Sequence, residues 1–141
     1  MALQRDFILR MIEAVAAALA RAVGRRRQGD LQGAREELAA AARELLGTVG
    51  SLAAHADART AVDLLSDPRR VVLWVRLLIE DAELLHEAGY TGESSAVRRR
   101  ARDLAGEVRR RDTVLSDEDR DFVSRVGEES APGDRSPSRA E

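Results

Sequence analysis

The most apolar run in the chain is Val71-Val72-Leu73-Trp74-Val75-Arg76-Leu77-Leu78-Ile79, set inside the stretch Asp67–Gly89. Placing residues about 100° apart collects Arg69, Arg76, Glu80, Glu83 and Glu87 on one narrow stripe. Nearly all the remaining circumference is apolar, and a helix with so little polar face is packed on several sides. Asp67 is placed to N-cap it, Pro68 suits its first turn, and Gly89 can end it in the left-handed conformation. The run is too short and too interrupted by charge to span a bilayer, so no membrane partner is expected. The pattern predicts the central helix of a small helical domain.

The same reading covers the rest of the chain. Leu3–Arg27 is a long helix with Phe7, Ile8, Met11, Ile12, Val15, Leu19, Ala22 and Val23 on its apolar side. That arc spans more than half the circumference, more than one neighbour covers, and predicts a homodimer. Gly29-Asp30 is a turn, and Leu31–Leu46 follows with a narrow stripe of Leu31, Ala34, Leu38, Ala41, Ala42 and Leu45. The two form an antiparallel hairpin. Gly47–Ala56 reads as a loop, with a helix start at Leu52 as the alternative, and Asp57–Ser66 as a short helix. After the central helix, Gly89-Tyr90-Thr91-Gly92 turns into a fifth helix, Glu93–Arg111, with Val97, Ala101, Leu104, Ala105 and Val108 inward. Ser116 opens a capping box for a last short helix ending near Val126. Residues 127–141 are rich in Ser, Pro, Glu and Arg and read as a disordered tail. The expected fold class is all-α: two antiparallel helical hairpins joined by a short helix, plus a small C-terminal helix, with residues 1–126 as one domain.

Composition narrows this further. Aromatic residues make up only 3% of the chain, so core volume comes from Leu, Val, Ile and Ala. Formal net charge is −2, which argues against a surface built wholly for nucleic acid or an anionic membrane. Every basic side chain is Arg, a bias that fills surfaces with Arg whatever the function. The absence of Cys removes disulfides, zinc thiolates and a thiol nucleophile. Acidic residues interrupt the N-terminal stretch and its helical pattern runs on past Arg21, unlike a signal peptide. A cytoplasmic location is the expectation.

Around its turn the first hairpin, Gln28-Gly29-Asp30-Leu31-Gln32-Gly33-Ala34 and then Ala41, resembles a tetratricopeptide repeat, with Arg25 or Arg26 where an aromatic is usual. The string Asp6-Phe7-Ile8-Leu9-Arg10, continuing through Ile12 and Glu13, is similar to an uncharacterised family of short bacterial all-helical proteins. That resemblance covers roughly residues 3–110. It implies a tetratricopeptide-like helical fold and brings no activity, cofactor or catalytic residue.

Candidate chemistry is sparse. Glu83 and His86 have the i,i+3 spacing of di-iron bundles, but His55 is the only other His and no Glu lies three residues before it. No phosphate-cradling glycine loop or nucleophile elbow is present. Neither a catalytic residue, a metal ligand nor a cofactor site is assigned. Arg98, Arg102 and Arg109 fall on one line of the fifth helix without acidic partners on that helix. They either pair with the acidic start of the last helix, Asp117, Asp119 and Asp121, or bind phosphates. Aromatics for base stacking are missing from that face, so nucleic acid is the lesser expectation. Asp81 falls inside the apolar arc of the central helix, and a carboxylate buried there needs a partner, expected to be an Arg from another helix; the alternative is a buried polar anchor in a groove. The function expected is a non-catalytic helical scaffold or protein–protein interaction module. The competing class is a nucleic-acid or anion-binding module using the Arg line.

Overall fold

A computed structural model of the chain describes residues 2–111 and 114–128. Those residues form α1 (Ala2–Arg27), α2 (Leu31–Leu46), α3 (Gly50–His55), α4 (Ala58–Leu65), α5 (Pro68–Glu87), α6 (Thr91–Arg110) and α7 (Asp117–Glu128). A single 3-10 turn, Gly47–Val49, follows α2. The fold is all-helical, with no strand among the described residues.

Local chemistry sets the helix ends. Asp30 accepts a hydrogen bond from the Gly33 backbone N–H at 2.8 Å and caps α2. Asp57 does the same for α4 through Thr60 N–H. Asp67 caps α5 through Arg69 N–H at 2.9 Å, with Pro68 in the first turn. Gly29 and Gly89 take φ of 81° and 94°, the left-handed region in which a Cβ is penalised, and each closes the helix before it. Ser116 accepts from Asp119 N–H and starts α7.

α5 is the centre of the molecule. It packs against α6, α2, α1 and α4. Val71 through Val75, Leu77, Ala82, Leu84 and Leu85 are all buried. Trp74 is only 5% exposed. Its outward stripe, Arg76, Glu80, Glu83 and Glu87, is the one expected from the spacing. The hairpins α1/α2 and α5/α6 form the two largest packing contacts of the fold. Arg21 and Arg25 of α1 pair with Glu37 of α2, and Arg26 with Glu87 of α5. A buried Ser94 hydroxyl donates to Ala82 C=O at 2.7 Å and fastens the start of α6 to α5.

Several boundaries differ from the expectation. The predicted loop at 47–56 is the 3-10 turn plus α3, so two short helices, not one, join the hairpins. Ala53 on α3 is fully buried, and tertiary burial outweighs the weak local pattern there. Thr91 and Gly92 belong to α6 and not to the turn. α7 runs on through Gly127 and Glu128, because Gly127 lies close to Gly106 and Arg109 of α6. The rest of the predicted tail, 129–141, lies outside the described residues. Ile12 and Val23, expected on the core side of α1, are 43% and 39% exposed. Ala18, outside that expected set, is fully buried, and Ala22 faces the core as expected.

Candidate interaction surface

α2 and α5 cross with small residues on the α2 side. Ala39 and Ala42 present little volume to α5, and the space they leave is a cleft of about 210 Å³. Trp74, Leu77 and Leu78 of α5 form its apolar floor, and Leu38 stands beside the two alanines. The rim is polar: Gln32, Arg35 and Glu36 from α2, and Asp81 from α5.

Arg35 and Asp81 meet across this rim as a two-pronged pair. Arg35 Nε donates to Asp81 Oδ1 at 2.6 Å and Nη2 to Oδ2 at 3.2 Å. Such a fork–fork pair fixes both orientations at once. Asp81 is thus held by an Arg from another helix, as its position in the apolar arc requires. Its side chain is 19% exposed, so it borders the core and is not enclosed by it. Hydrogen bonding to Asp81 raises the Arg35 pKa further.

Two other arginines turn inward. Arg70 donates to the backbone carbonyls of Leu45, Leu46 and Leu65, at the C-terminal ends of α2 and α4. It also lies 5.4 Å from the Phe7 ring centroid. Arg100 donates to Ala53 C=O at 2.7 Å and sits 5.4 Å from the Trp74 ring, behind the cleft floor. Burial pushes the pKa of both guanidinium groups down, yet an Arg stays charged in a protein. Carbonyl oxygens and aromatic faces replace the water each has lost.

The predicted Arg line has other surroundings than expected. Asp119 at the start of α7 pairs with Arg76 of α5 at 3.2 Å, not with the line. Arg76 also stacks over Phe122, 4.1 Å from the ring centroid. Arg109 approaches Glu128 at the far end of α7, at 3.7 Å. α7 lies on α6 with Gly127 close to Gly106, and its acidic first turn lies beside Arg76 of α5. Arg102 lines a wide polar basin with Arg59, Arg110 and Arg111, facing Asp57, Asp63, Asp103 and Glu107. Arg98 and Arg109 do not line it, so the basin and the line share only Arg102. Glu107 holds Arg110 at 2.6 Å and Arg111 at 2.9 Å, and Arg111 reaches Asp63 at 2.7 Å. Four bases facing four acids leave the basin without net positive charge.

Glu83 lies 3.6 Å from Arg26, and His86 is exposed. Among the described residues no group of three or more His, Asp or Glu side chains is placed to hold a metal ion. No helix among them is long and apolar enough to cross a membrane.

Arg35, Arg70 and Arg100 escape a reading of periodicity. Arg35 carries one usable signal: it falls between Leu31, Leu38 and Ala42 on the flank of α2, where an Arg can reach a neighbouring helix. Arg70 reaches the Leu45 and Leu46 carbonyls and Arg100 that of Ala53, all 24 or more residues away, which no local pattern encodes. Comparison with protein-family models, curated proteins and solved structures finds no match to this chain.

Proposed function

We propose that this chain is a non-catalytic helical scaffold that binds another protein, with the α2–α5 cleft as its anchor pocket. The observation that carries this reading is the cleft itself. Its volume lies below the roughly 300–1,000 Å³ of small-molecule sites and suits one large apolar side chain. An apolar floor ringed by polar groups is the form of a binding hot spot, in which a buried anchor supplies affinity and the rim excludes water. The pinned Arg35–Asp81 pair keeps that rim in place without a ligand, so little ordering is needed on binding. Pairing of acids with bases in the polar basin weighs against a phosphate-binding face. On the resemblance of its N-terminal motif we read the protein as bacterial, and we propose a cytoplasmic location.

The test is affinity capture from native lysate with and without nuclease, using three forms of the chain. Ala39 is exposed, so Ala39→Arg fills the cleft without disturbing the core. The expected result is a nuclease-resistant partner retained by the wild type and by the Arg98→Gln, Arg102→Gln, Arg109→Gln combination, and lost from Ala39→Arg. Capture that disappears with nuclease and with the triple substitution would replace this reading with the nucleic-acid one.

A further inference from the structure

α1 carries two apolar stripes. Ile8, Met11, Val15, Ala18 and Ala22 face the core between α2 and α5. Leu9, Ile12, Ala16, Leu19 and Val23 form the second, at successive spacings of 3, 4, 3 and 4 residues. That spacing is the a/d seam of a two-helix coiled coil, which keeps one face against one partner over several turns. Leu9 is 52% exposed, Ile12 43% and Val23 39%. Those three are half of the six large hydrophobic side chains exposed among the described residues.

The edge of this seam repeats every seven residues as Asp6, Glu13, Ala20 and Arg27, acid at its start and base at its end. Among the described residues the ion pairs of α1 use Arg21, Arg25 and Arg26, and none uses Asp6, Glu13 or Arg27. In a parallel pair this edge faces the partner's opposite edge, Ile8, Val15 and Ala22, which are buried in the core, so its charges meet no partner. An antiparallel one sets Asp6 against Arg27 twice, by two-fold symmetry, and an isologous contact of this kind closes on itself. Ala16 and Ala20 lie near the middle of the seam, where two antiparallel helices cross their symmetry axis.

We propose that the outer stripe of α1 is a self-association face, on which α1 of a second copy packs antiparallel. This surface lies apart from the α2–α5 cleft and does not depend on the function assigned to it. The residues chosen for its test are exposed, so their replacement is expected to leave the monomer fold intact.

Sedimentation equilibrium of the full chain, up to about 100 µM, reads the result directly. The wild type gives twice the chain mass. Ile12→Glu gives one chain mass with unchanged helical circular dichroism. Asp6→Arg alone, or Arg27→Asp alone, weakens the dimer about tenfold, and the two together restore it. A monomeric wild type overturns the proposal, whether the stripe is bare or covered by residues 129–141 of the same chain. A dimer that survives Ile12→Glu places the interface elsewhere and overturns it too. Failure of the paired charge reversal to restore association overturns the antiparallel arrangement. As a second measurement, Ala16→Cys should oxidise to a covalent dimer while Leu9→Cys does not; equal cross-linking of both overturns that arrangement as well.

Discussion

Trp74 shows how one side chain joins three parts of the molecule. It is buried in α5, floors the cleft beside α2, and receives Arg100 of α6 on its ring. Removing it deletes a large apolar volume and strips a desolvated guanidinium of its aromatic cover. Trp74→Ala is expected to cost about 3–5 kcal/mol, measured by chemical denaturation. Native fluorescence should be blue-shifted, and emission near that of the unfolded chain would contradict the burial. Asp67 illustrates a different residue-level economy. Its carboxylate is 6% exposed and caps α5 through Arg69 N–H while also pairing with the Arg69 side chain at 2.9 Å. One buried acid thus satisfies an orphan helix donor and a cation together.

At the scale of elements, α7 packs on α6 and is tied to α5 through Arg76. Val123 and Val126 are buried, Phe122 partly so, and Arg76 holds the first turn through Asp119 and the Phe122 ring. Exposed ion pairs contribute about 0–1 kcal/mol, and a cation–π contact adds a similar amount. Arg76→Ala should therefore speed amide exchange across residues 117–128 roughly tenfold and leave α1 and α2 unchanged. Equal loosening by Arg109→Ala would shift the principal tether to the Glu128 end. α1 and α2 are secured differently, through Glu37 shared by Arg21 and Arg25. A shared acceptor holds two side chains while being ordered once.

For the whole molecule, charge pairing predicts how stability follows pH. Hydrogen bonds from Arg21 and Arg25 lower the pKa of Glu37, and those from Arg110 and Arg111 lower that of Glu107. Asp30 and Asp57 are lowered mainly by the backbone N–H groups they cap. A carboxylate depressed in the folded state contributes stability above its unfolded pKa and loses it as pH falls through the folded value. Melting temperature should hold from pH 7 to about 5 and fall progressively below about 4. Glu80 has the opposite sign. Partial burial and the charge of Glu83 raise its pKa against the opposing effect of Arg26. A raised carboxylate contributes stability below its unfolded pKa and loses it as pH rises through the folded one. Glu80→Gln should then raise the melting temperature by about one or two degrees at pH 7 and by nothing at pH 3. Destabilisation at pH 7 would mean that a cation holds the charged form.

What the sequence determined by itself is local. The caps at Asp30 and Asp67, the left-handed closures at Gly29 and Gly89, and the helical period of α2, α5 and α6 depend on residues within one or two turns, so spacing alone exposes them. Asp81 was legible for the same reason: its angle on α5 demands a cation. Which cation answers is a tertiary matter, because Arg35 lies 46 positions away and only the crossing of α2 over α5 brings it there. The cleft is likewise a by-product of that crossing, made where Ala39 and Ala42 fail to fill the space beside Trp74. α3 forms although its pattern is weak, since burying Ala53 under Arg100 outweighs propensity. Arg109 of the predicted line meets α7 at its far end, through Glu128, while Asp119 of the acidic start meets Arg76 of α5, a pairing that depends on how α7 lies across α6. Periodicity records which face of a helix is apolar. It carries no record of the angle at which two such faces meet, and that angle decides which charges become neighbours.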